Sequence, residues 1–208
     1  MTVRDKIPPA VAPRIPFEIS DIFVTLPVLE SEDKHVYWRI FERMADELEP
    51  EGVHEWMLTK TIVDCDWQAM RYERTKSRVI DLRFREALAN VLRSILEEET
   101  IKHSRELDAL ELAQDWFTDP QTKRAIERHL CDYDLGEESV VAEATRLSMP
   151  ELVGLERMAE SVERRRCVAY RELEIWREGK RLRRSAKTDA APKALTLIPS
   201  KEAQRGTG

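Results

Sequence analysis

Apolar residues recur at helical spacing in most stretches of this chain long enough to show a period. Val36, Ile40, Met44 and Leu48 repeat every fourth residue, with Tyr37 and Phe41 beside them. That stripe predicts a helix from about Glu32 to Leu48. Ser31 is its expected N-cap, and Glu32 and Asp33 suit the positive end of the helix dipole. Two interleaved seven-residue series follow. One is Trp56, Val63, Met70, Ser77, Phe84 and Val91; the other is Val53, Lys60, Trp67, Arg74, Asp81, Leu88 and Ile95. Together they predict a helix from about Pro50 to Glu98 whose seam is apolar at both ends and polar in the middle.

Shorter helices are expected over residues 104–117 and from Pro120 to about Cys131, the second opened by a Thr118/Gln121 capping pair. Val140, Val141, Ala144 and Leu147 add a turn or two after Gly136. A last long helix opens at a Ser148/Glu151 capping box. Its two series are Leu152, Ala159, Arg166, Leu173 and Leu155, Val162, Ala169, Trp176. Proline placement agrees: five of the ten fall in the first 27 residues, and the gaps Pro50–Pro120 and Pro150–Pro192 contain the two long helices.

The fold class expected is all-α: a long antiparallel helical hairpin, coiled-coil-like, with short accessory helices and disordered termini. Residues 1–30 read as a proline-rich arm, extended over 1–16 and an apolar strap over 17–29. The helical domain covers 31–184, and 185–208 read as a disordered tail. Packing the long helices antiparallel brings their polar interruptions together. Arg166 should therefore meet Asp81 or Asp64, a pair that sets register more than it adds stability.

Composition supports long solvated helices. Charged residues make up 36% of 208, apolar residues 42%, and glycine occurs only 6 times. Net charge is −6, yet residues 151–208 carry 14 Lys/Arg against 9 Asp/Glu, so the chain is polarised end to end. Cys65, Cys131 and Cys167 are widely spaced and odd in number, as expected of free thiols in a reducing compartment. No apolar run approaches the roughly 18–20 residues that span a bilayer. No membrane partner is expected, and the location expected is cytoplasmic.

Several constellations contain residue types that carry chemistry. Glu32-x-x-His35 and Glu51-x-x-His54 have di-iron ligand spacing, but both fall in first turns and lack two further inward glutamates. The thiols and His129 lack zinc spacing. Phosphate-loop, dinucleotide and nucleophile-elbow motifs are missing. No catalytic residue, metal or cofactor is therefore expected.

Two clusters remain. Asp64, Trp67, Arg71, Arg74, Arg78 and Asp81, with Arg166 across from them, form a candidate polar network. It is either an anion-binding stripe or a Trp-anchored ion-pair network. Arg177, Lys180, Arg181, Arg183 and Arg184 form a candidate basic patch, either a solvated helix end or a phosphate contact. The expected function is that of a non-enzymatic helical interaction or scaffold protein that binds a protein partner or itself. The alternative is a nucleic-acid-associated accessory factor using the basic end.

The block Trp56-x3-Lys60-x-Ile62-Val63-Asp64-x2-Trp67-x3-Arg71-Tyr72-x-Arg74-x-Lys76 is one of two distinctive patterns. The other is Leu155-Glu156-Arg157-Met158, followed by Arg164-Arg165-Arg166-x2-Ala169-x-Arg171-Glu172-Leu173. Both resemble a group of uncharacterised all-helical proteins common in rhizobial and other alphaproteobacterial genomes. The resemblance covers roughly residues 25–180. It implies a bacterial cytoplasmic protein and brings no activity with it.

Overall fold

A computed structural model describes residues 7, 8, 11, 13–98 and 105–189. Among them are six α-helices and no strand: α1 (Lys34–Leu48), α2 (Val53–Glu98), α3 (Arg105–Asp115), α4 (Pro120–Asp132), α5 (Glu137–Leu147) and α6 (Met149–Asp189). A 3-10 helix spans Phe17–Phe23 ahead of them. The all-α antiparallel hairpin is therefore the observed architecture. At 1.5 Å per residue, α2 is about 70 Å long and forms the spine.

Two separate cores load the ends of this spine. At the N-terminal end of α2, Trp56, Val63 and Trp67 pack with Tyr37, Trp38, Phe41 and Ala45 of α1. Phe23 sits edge-on to Phe41 and Trp56, with ring centroids 5.4 and 6.3 Å apart. At the other end, Leu88, Leu92 and Ile95 join Ala109 and Ala113 of α3, Ile126 and Leu130 of α4, and Val140 and Ala144 of α5. Between them, no residue from Gln68 to Glu86 is buried.

Where an extended arm is expected over 1–16, its described residues Ile7, Val11 and Ile15 belong to the first core. Ile7, Val11, Ile15, Ile19 and Phe23 are all buried there, one residue in four. Arg14 fastens the arm by bonds to Asp46 (2.5 Å) and the Ala45 carbonyl (3.1 Å). Residues 185–189 of the tail expected from 185 are helical, because α6 continues to Asp189; the rest of it lies outside the described residues.

Capping corrects three boundaries. Asp33, not Ser31, caps α1 by accepting from the His35 amide at 2.8 Å. Asp119, not Thr118, caps α4 by accepting from the amides of Gln121 and Thr122. Pro120 does take the first helical position expected of it. Ser148 is the C-cap of α5 and donates to the Ala144 carbonyl at 2.8 Å, leaving no capping box with Glu151.

The seam of α6 is the expected one for most of its length: Leu155, Val162, Ala169 and Leu173 are buried. Its partner face on α2 differs from the expected series. Leu58 and Ile62 pack against Ala169 and Leu173, with Met44, Leu48 and Tyr170 alongside. The aromatic-rich series Trp56/Val63/Trp67 faces α1 and the arm instead. A long spine with neighbours on two sides carries two apolar stripes, and the aromatic one dominates the sequence pattern.

Fully buried Ile62 tests this packing. Ile62→Ala is expected to cost about 2–5 kcal/mol in urea unfolding. Leu82→Ala, at a position 81% exposed, is expected to change stability by less than about 0.5 kcal/mol.

Candidate functional site

The expected polar network divides into separate groups. Arg71 lies one turn after Trp67 on α2, so both reach the start of α1 and converge on Glu32. The Glu32 carboxylate accepts from Trp67 Nε1 at 3.0 Å, Arg71 Nε at 2.8 Å, Arg71 Nη2 at 2.7 Å and the Leu29 amide at 2.9 Å. Arg71 also donates to the Pro27 carbonyl. Arg74 lies over the Trp67 ring at 5.5 Å and 3.7 Å from Glu32. The Arg71 guanidinium holds the Glu32 carboxyl far below its ordinary 4.5, at about 2, against the upward push of burial. Arg71 is thus turned onto a protein carboxylate, with Arg74 more exposed at the edge of the same group.

Asp64 belongs to a different group. It accepts from the buried Tyr37 hydroxyl at 2.6 Å and from Lys60 Nζ at 2.5 Å. Burial first, then the neighbouring Asp64 charge, raises the Tyr37 hydroxyl well above the ordinary tyrosine value. Arg78 and Asp81 stand apart on the exposed middle of α2, 3.9 Å from one another.

Arg166 does meet a carboxylate of α2, but it is neither Asp64 nor Asp81. It donates to Asp66 at 2.7 Å and to Glu163 of its own helix at 2.7 Å. Two residues along a helix is more than half a turn around it, so Asp64 points to α1 where Asp66 points to α6. The Asp66 carboxylate pushes the Arg166 guanidinium upward from its ordinary value.

The basic patch is likewise engaged. Glu55, only 2% exposed, accepts from Arg177 at 3.2 Å and Lys180 at 3.0 Å. Lys180 and Arg184 also reach Glu51, at 2.6 and 3.3 Å. Arg177 further donates to the Leu48 carbonyl, satisfying a C-terminal acceptor of α1. Burial pushes the Glu55 carboxyl up, and the bonds from Lys180, the Glu51 amide and Arg177 more than reverse that push. Arg181 pairs with Glu178, and Arg183 lies over Trp176 at 5.9 Å. The ring of Trp176 contacts His54 at 4.6 Å.

The partners Glu32, Glu51, Glu55 and Asp66 were missed as network members. Each lies far along the chain from its arginine or lysine, and no periodic signal connects them. The Glu-x-x-His spacings gather no ligand set. Among the described residues, no group of three or more His, Cys, Asp and Glu is placed to hold a metal ion.

One surface feature belongs to neither cluster. On one side the α2–α6 pair is filled by α1, whose Met44 meets Tyr170. Elsewhere on the pair, Leu58 and Thr61 of α2 with Ser161, Arg164, Arg165, Val168, Ala169 and Glu172 of α6 line an open groove of about 510 Å³. No helix among the described residues is long and apolar enough to cross a membrane.

Comparison with protein-family models, curated proteins and solved structures finds no match.

Two outcomes check these assignments. The folded chain binds a proton at Glu32 less readily than the unfolded chain does. Its contribution to stability is thus complete above about pH 4.5 and is lost as pH falls toward 2. Urea unfolding across that window is expected to show a shallower acid loss for Glu32→Gln than for the wild type. Glu55→Ala, which takes one partner from each of Arg177 and Lys180, is expected to lower stability by about 1–3 kcal/mol in the same assay.

Proposed function

We propose that this chain is a helical interaction protein that does no chemistry of its own and offers the open α2–α6 groove to a partner. The observation that carries this reading is the groove itself. A layer of two long helices is filled by α1 on one side and left lined by Leu58, Thr61, Val168 and Ala169 on another. Adding a helix there would complete a four-helix arrangement, the ordinary way such layers bury their remaining apolar surface. The polar clusters are consistent with the same reading, because their arginines and lysines bond to the protein's own carboxylates.

The nucleic-acid alternative receives less support. Phosphate binding needs free cations, and Arg177, Lys180, Arg181 and Arg184 already pair with Glu51, Glu55 and Glu178. In the proposed reading the protein works in the bacterial cytoplasm, as the family resemblance implies.

Affinity capture with quantitative mass spectrometry tests the proposal. The wild type is expected to retain a defined partner that Val168→Asp loses and Leu82→Asp keeps. Equal capture by all three proteins, or a monomer that captures nothing, contradicts it.

A further inference from the structure

We infer that the outward face of α6 receives an acidic amphipathic helix of a partner protein. This deepens the interaction reading and rests on it.

Helix α6 is apolar on two opposite faces. Leu155, Val162, Ala169 and Leu173 turn toward the body and are buried. About half a turn away, Val168, Ile175 and Leu182 recur every seven residues and are 50%, 65% and 61% exposed. Seven residues is close to two helical turns, so these three form one row, with Ser161 a step before them. The row borders the open groove, which Val168 also lines. An α6 that served only to clasp α2 would have no use for it, since an exposed apolar row gains nothing from solvent.

The charges beside the row indicate its occupant. Arg157, Arg164 and Arg171 also recur every seven residues and run beside the row, Arg164 at the rim of the groove. All three are exposed, and among the described residues none has an ion-pair partner. This contrasts with Arg166, Arg177, Lys180, Arg181 and Arg184, each of which pairs with a carboxylate. Uncommitted positive charge of α6 therefore runs along the apolar row, while at the helix end only Arg183, which lies over the Trp176 ring, has no carboxylate partner among the described residues. From Arg157 to Arg171 this face carries Arg157, Arg164, Arg165 and Arg171 against Glu160; beyond it come Glu172 and Glu178.

A helix that matches this face has its own apolar row and carboxylates beside it. A second copy fits less well. With the apolar rows superposed antiparallel, the arginine flanks of the two copies face each other; in a parallel pair Arg171 meets Glu172 but Arg164 meets Arg165. A phosphate backbone would use the arginines and leave Val168, Ile175 and Leu182 uncovered. A lipid surface would take the apolar row but would draw Glu160, Glu172 and Glu178 in with it.

The test uses the full chain and two fluorescent synthetic helices. Each has leucines seven residues apart; one is flanked by glutamates and the other by lysines. Fluorescence anisotropy is expected to show the glutamate helix binding at least about tenfold more tightly. Arg164→Glu/Arg171→Glu is expected to reverse that preference, Val168→Asp to abolish binding of both, and Arg183→Glu to leave the preference intact. Circular dichroism checks that each variant keeps its helices.

No preference between the helices, or a preference that survives Arg164→Glu/Arg171→Glu, overturns the inference. So does a dimer in sedimentation that Val168→Asp dissociates, or sedimentation of the wild type with phosphatidylcholine–phosphatidylserine vesicles that Val168→Asp removes. A natural partner captured independently of Arg164 and Arg171 would end this inference while leaving the interaction reading in place.

Discussion

The antiparallel contact between α2 and α6 holds the molecule in one piece. Most helical stability in a protein comes from tertiary packing of an apolar face, and α2 has no buried residue across its middle third. Its two cores lie at opposite ends and share no side chain. Helix α6 leaves the α3–α5 end at Met149 and runs back along α2 to the α1 corner. Its pairings descend in order along the spine: Glu151 with Arg83, Glu156 with Lys76, Arg166 with Asp66, Arg177 with Glu55 and Lys180 with Glu51. Any shift by one turn would break several of these at once.

Such pairs fix register more than they stabilise. Those at the exposed middle, such as Lys76–Glu156, gain modest Coulomb energy in water. The more enclosed ones serve as keys, because stranding Glu55 or Glu32 would leave a carboxylate desolvated without its cation. The same residues that looked like a binding stripe or a basic patch are therefore the means by which three distant segments recognise one another. Arg177, Lys180 and Arg184 at the α6 end are engaged by Glu51 and Glu55, while the outward arginines Arg157, Arg164 and Arg171 have no ion-pair partner among the described residues.

How far the sequence reveals this depends on distance along the chain. Local signals were informative. Proline gaps located the long helices, Pro120 opened α4, and the seven-residue series of α6 marked its buried face from Leu155 to Leu173. Pairings between distant residues were not legible. Asp64 and Asp66 are equally good candidates for Arg166 until it is known which side of α2 faces α6. The bright aromatic series of α2 suggested the wrong side because it belongs to α1. The arm carried a readable signal that its prolines masked: Ile7, Val11, Ile15, Ile19 and Phe23 recur every fourth residue. Nothing local ties Glu32 to Trp67 and Arg71, which lie 35 and 39 residues on.

Pulsed electron–electron resonance measures the α2–α6 register directly. Spin labels would be placed at Thr61 with Glu172, and at Glu73 with Arg157, after replacing Cys65, Cys131 and Cys167. Packed helices lie about 8–10 Å apart, so both pairs are expected to give narrow distributions below about 25 Å. A broad distribution or a distance beyond about 40 Å for either pair would mean that the two long helices are not clasped in this register, against the scale of a spine about 70 Å long.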